Sequence, residues 1–171
     1  MNYEWTIDLI LVLFLGVVSY QDFKHKAISW VLIPILFILQ SVLAVRAVKI
    51  ESAAFFFLVN FGFISLQLVC LTIYFSIKNR KFTNIVNSYL GIGDILFFFV
   101  LCPAFSPINF ILFYLGSLIL ILIGFIFYTS LKKEANKEIP LAGAMALGLI
   151  VCYGYKYLNE GCNFYRDIIQ L

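Results

Sequence analysis

Long apolar runs without a charge constrain this sequence more than any other feature. LILVLFL near the start, FLVNFGFISLQLV in the middle and the whole of 108–131 carry no ionisable side chain other than tyrosine or cysteine. They do not alternate apolar with polar residues, as the strands of an outer-membrane barrel would. A spanning helix needs roughly 17–25 mostly apolar residues. Six segments come close, at about 5–21, 28–48, 53–77, 85–105, 108–131 and 139–158, and a short polar tail follows at 159–171. Helices satisfy their own backbone in lipid. The expected fold is therefore an all-α polytopic membrane protein, a bundle of six transmembrane helices forming one integral membrane domain over 1–171. No repeat or linker divides it.

Composition agrees. Hydrophobic residues make up 63% of the 171 residues and charged residues 12%, whereas a soluble domain has about 25% charged. Such a chain could not bury its apolar side chains in one water-soluble core and keep a wettable surface. The formal net charge is only +3, and the 12 Lys and Arg are scattered between the apolar runs. No clustered basic face suggests nucleic acid as a partner. The first residues carry Glu4 and Asp8, with no Lys or Arg before Lys24. A signal peptide starts with a basic region, so a retained first helix is expected.

Basic residues also predict orientation. Lys24, Lys26, Lys78, Arg80, Lys81, Lys132, Lys133 and Lys137 fall on one side, eight in all, against four on the other: Arg46, Lys49, Lys156 and Arg166. The richer side should be cytoplasmic, with both termini outside. Trp5, Tyr20, Trp30, Tyr74, Tyr128 and Tyr157 sit near the expected span ends, where interfacial aromatics belong.

Cofactor chemistry finds little support. Cys70, Cys102, Cys152 and Cys162 form no C-x-x-C pair, and His25 is the only histidine. A zinc site normally needs four convergent ligands. Neither metal nor cofactor is expected, and a Ser–His or Cys–His pair would have to use His25.

The carboxylates are more informative. An acid at the bilayer centre costs about 2.5–3.5 kcal/mol on insertion scales. Asp8 is expected at the outer interface as a solvated charge. Asp22 ends the first helix and Asp94 begins the fourth. Because successive helices alternate in direction, both acids fall at the cytoplasmic edge. Gly91 and Gly93 weaken the helix before Asp94. Broken backbone at membrane depth is tolerated only inside protein or beside a wet cavity, so a hydrated pocket is expected there. The competing reading makes Asp94 a cap or first-turn acid of an ordinary helix, and Asp22 a solvated loop acid beside Lys24 and Lys26. Two carboxylates brought together repel, so that one holds a proton the other lacks. Such a pair can activate water with one member and protonate a carbonyl or leaving amine with the other.

Gly91-Ile92-Gly93-Asp94 matches the GxGD signature of intramembrane aspartyl proteases. Asp22-Phe-Lys-His-Lys-Ala-Ile28 resembles the first-aspartate segment of type IV prepilin peptidases. Ile139-Pro140-Leu-Ala-Gly-Ala-Met-Ala146-Leu-Gly148 resembles their last helix. The three segments occur in family order. The resemblance implies an endopeptidase that removes a short basic leader from prepilin-like membrane precursors, at the cytoplasmic face of a prokaryotic inner membrane. It implies catalytic aspartates at Asp22 and Asp94, with Gly91 and Gly93 as backbone support and no cofactor. Lys24, Lys26 and Pro140 are candidates to line the substrate entrance. Departures are Ser29-Trp30 for the usual Pro-Asn, Leu96 for a common Lys, and Gly143 for a common second Pro. The long members' C-x-x-C insertion is missing, so cleavage without N-methylation is expected. A proton- or ion-coupled transporter would also use intramembrane acids and a broken helix, and an inactive homologue could serve as an assembly subunit. The peptidase reading requires helices one and four to be neighbours.

Overall fold

The computed structural model of the chain describes residues 3–82, 84–86, 89–132, 139–159 and 163–166. Lys133, Lys137 and Cys162, most of the tail, and the side chains of Glu4, Trp5 and Lys132 lie outside the described set. The described chain is helical, with α1 Tyr3–His25, α2 Leu32–Ala47, α3 Ile50–Lys78, α4 Ile92–Leu101, α5 Pro107–Lys132 and α6 Leu141–Leu158. Four stretches are long and apolar enough to cross a membrane: Thr6–His25, Ile50–Lys78, Pro107–Ser130 and Leu141–Leu158. Large apolar side chains lie open along them, among them Leu9, Phe55, Leu120 and Val151, a surface suited to lipid.

Two helices are shorter than the sequence suggests. The second, expected over 28–48, has 16 residues. The fourth, expected over 85–105, has only 10. At about 1.5 Å per residue that is roughly 15 Å, half the hydrocarbon thickness of about 30 Å. Extended backbone at residue 91 sets where it starts. Gly91 is an extended N-cap at φ −67°, ψ 144°, and before it Val86 and Leu90 pair in an isolated bridge. After Leu101 the chain turns through Cys102-Pro103-Ala104-Phe105-Ser106, and all five residues are buried.

A buried turn needs partners for its carbonyls. Asn60, inside the apolar run of α3, supplies them: its side-chain amide donates to Cys102 O at 2.8 Å and Phe105 O at 3.0 Å. The described part of the tail closes the other side. Ser106 N donates to Phe164 O at 3.0 Å, and the Asn109 side chain donates to Phe164 O and Arg166 O. Phe164 is buried against Phe105 and Tyr153. Residues 163–166 are thus a packed strap, where the sequence reads as polar tail. Asn60→Leu leaves two buried carbonyls without a partner, which should cost about 1–3 kcal/mol. An unchanged unfolding temperature in detergent would sink this assignment.

The first and last helices form the central pair. Leu11, Leu15 and Val18 of α1 are fully buried, as are Ala142, Met145, Ala146 and Leu149 of α6. Each set recurs every three or four residues, the spacing of one helix face. The helices run antiparallel: Asp22 of α1 meets Gly143 of α6 at one end, and Asp8 meets Lys156 at the other. Asp8 is therefore ion-paired, with Lys156 Nζ 2.8 Å from its Oδ2. Removing one partner of such a half-buried pair strands the other charge. Lys156→Met should accordingly lower the melting temperature more than the double variant Asp8→Asn/Lys156→Met. The reverse order, read by thermal denaturation of purified protein, would show the pair to be structurally idle.

Candidate active site

Asp22 continues the buried stripe of α1, four residues after Val18, and is 6% exposed. It lies inside the last turn of the helix, at the helix end where the sequence put it and not in the loop of the competing reading. The helix ends at His25; the amide of the next residue, Lys26, donates to Asp22 O at 2.9 Å, and its φ is +50°. Ser29 N then donates to the Gln21 side chain at 2.9 Å, folding the following loop back on the helix end.

Asp94 occupies the third position of α4. Its amide donates to Gly91 O at 3.1 Å. Its carboxyl folds back over Gly91, so that a Cβ there would lie 3.2 Å from Asp94 Oδ2. Glycine at 91 is what lets the carboxyl lie so close to the backbone. Gly93 is less constrained: a Cβ would meet Ile28 at 3.6 Å, an ordinary contact.

The first turn of α6 joins the two acids. The opening amides of a helix have no intrahelical acceptor, and the positive end of the dipole favours carboxylates. Pro140 stands at the N-cap and lacks an N–H. Ala142 N donates to Asp94 Oδ1 at 3.0 Å, and Gly143 N donates to Asp22 Oδ2 at 2.6 Å. Adjacent peptide units therefore hold one oxygen of each aspartate. Contrary to the expectation that helices one and four are neighbours, α1 and α4 do not pack along their length. The two acids meet because each is held by the first turn of α6, which lies against both helices. Gly143 is required sterically, because a Cβ would sit 2.9 Å from both Cβ and Oδ2 of Asp22.

The other sequence-derived candidates divide. Lys24 turns back on its own helix, its Nζ donating to Tyr20 OH at 2.7 Å, away from the acids. Lys26 and Pro140 line a cleft of about 530 Å³ with Phe23, Gly124, Tyr128 and Ala144. Phe23 and Ala144 are chain neighbours of Asp22 and Gly143, so this cleft adjoins the carboxyl pair.

Two parts of the site were missed in the sequence. The Ala142 and Gly143 amides carry no side-chain signal, although Gly143 stood out as a glycine where the resembling family commonly has proline. The face placing Asp22 inward was legible in the Leu11, Leu15, Val18, Asp22 spacing. Among the described residues, no group of three or more His, Cys, Asp or Glu comes together. Chemically the site offers two carboxyls held side by side, two amide donors and an adjoining apolar cleft. No known family, curated protein or solved structure matches the chain, so the functional reading rests on this geometry and on the sequence motifs.

Proposed function

We propose that the protein is an intramembrane aspartyl endopeptidase, with Asp22 and Asp94 as its acid–base pair. The observation that carries this reading is the pair of hydrogen bonds from neighbouring α6 amides, one to each aspartate. Two acids from sequence-distant helices have little reason to share one helix start unless their proximity is used. In the reaction, the ionised carboxyl takes a proton from water as the water oxygen attacks the peptide carbonyl. The protonated carboxyl gives its proton to the carbonyl oxygen. The tetrahedral diol then collapses, the C–N bond breaks, and a carboxyl proton passes to the departing amine.

The substrate class we infer is a membrane-anchored precursor with a short basic leader before an apolar helix. It follows from the resemblance to type IV prepilin peptidases and fits an acid pair beside an apolar cleft. The excess of Lys and Arg on the Asp22 side supports a cytoplasmic site, with the termini on the far side when α2 and α4 are counted as crossings; the prokaryotic inner membrane follows from the family resemblance alone. The shortness of α4 supports a recessed site, since Asp94 lies only about 10 Å along the axis from the buried turn.

The test is reconstitution in liposomes with precursors of that form, and mass spectrometry of the new N-terminus. One cut between leader and apolar helix, abolished in Asp22→Asn and Asp94→Asn proteins that remain folded, supports the proposal. Cleavage that survives either exchange refutes the dyad.

A further inference from the structure

The helices α5 and α6 touch at one level and part at another. Phe113 packs against Gly148, within 3.5 Å of where a Cβ would stand. About three turns further along α5, nothing lies within 4 Å of the corresponding point on Gly124. The gap is the cleft beside the aspartates, lined by Gly124 of α5, by Ala144 of α6 with its N-cap Pro140, and by Phe23 of α1. Its volume of about 530 Å³ lies in the range of about 300–1,000 Å³ of well-formed binding sites.

We infer that this α5–α6 cleft receives the first turns of the substrate's apolar helix and aligns the adjoining peptide bond with Asp22 and Asp94. The inference rests on the peptidase reading and adds the route by which the substrate reaches the acids. Three features favour a helix. Gly124 and Ala144 are small residues on facing walls, and small residues let helix backbones approach closely in lipid. The walls are apolar apart from Lys26 and Tyr128, which suits a segment leaving lipid for water. Two of the lining residues, Phe23 and Ala144, are the chain neighbours of Asp22 and Gly143, so a chain in the cleft lies next to the carboxyls.

The test uses the full chain in liposomes with a precursor carrying a basic leader and an apolar helix. In an Asp94→Asn background, the photo-crosslinker p-benzoylphenylalanine replaces Gly124, or Val69, which is 54% exposed on α3. Irradiation should join position 124, and not 69, to the apolar helix of the precursor. In the active protein, Gly124→Leu should raise KM about tenfold with kcat little changed, as expected when binding common to ground and transition states is lost. Adducts from 124 only to lipid or only within the chain, or an unchanged KM, would overturn the inference. Failure of the unmodified protein to cut any precursor would sink the peptidase reading instead, and the crosslink from 124 would still decide whether the cleft binds the helix.

Discussion

Asp22→Asn and Asp94→Asn are each expected to lower precursor cleavage about 10³-fold or more, at the upper end of what a positioned acid or base contributes. The double variant should be little worse than either single one. Both carboxyls act in the same proton transfers, and groups that act as a unit are strongly non-additive. Asn keeps the size of Asp and can accept the α6 amide hydrogen bond through its oxygen, so each variant should fold and keep the α1–α6 pair. Activity should follow a bell-shaped pH profile, because one carboxyl must be ionised and the other protonated. Additive losses in the double variant, or a residual bell-shaped profile in either single one, would mean that the two acids work separately.

Gly143→Ala should also be strongly damaging to activity, about tenfold less so than loss of either aspartate, although residue 143 contributes no side-chain chemistry. The added methyl would stand 2.9 Å from Asp22 Cβ and Oδ2 and 3.3 Å from the Phe23 ring. Either Asp22 or the start of α6 must move, and the 2.6 Å hydrogen bond lengthens or breaks. A displacement of about 1 Å in a catalytic group can cost about 10²-fold in rate, so a loss of that order is expected, mainly in kcat. Neighbouring glycines provide the scale. Gly91→Ala meets only the end of the Asp94 carboxyl, at 3.2 Å, and should cost less. Gly93→Ala makes an ordinary contact with Ile28 and should be close to neutral. Rates measured beside unfolding temperatures would separate this ordering from general instability, and equal activity in all three variants would remove Gly143 from the site.

Much of the scaffold was legible in the sequence because lipid demands long apolar helices, and α1, α3, α5 and α6 answer that demand directly. The fourth segment was not, because hydropathy does not register backbone breaks. Gly91 begins the helix late, and Cys102-Pro103 turns it early. The support for that turn was also hidden. Asn60 reads as a weakly polar interruption of α3, and only the fold shows it holding two carbonyls. The same is true of Asp8, which looks like a solvated end charge until Lys156 is brought beside it from the far end of the chain. The acid pair itself was visible through helix direction and motif. The α6 amides that hold it were not, since backbone donors exist at every helix start and sequence alone does not say what they face.

The bond from Gly143 to Asp22 closes a sequence separation of 121 residues. Synthesis at about 5–20 residues per second puts on the order of ten seconds between the two ends of that bond. Throughout that interval the first helix waits in the bilayer with its aspartate unmatched. The two carboxyls therefore come under one helix start only after α6 has been made. A chain stalled before α6 carries both acids and lacks the two amides that register them.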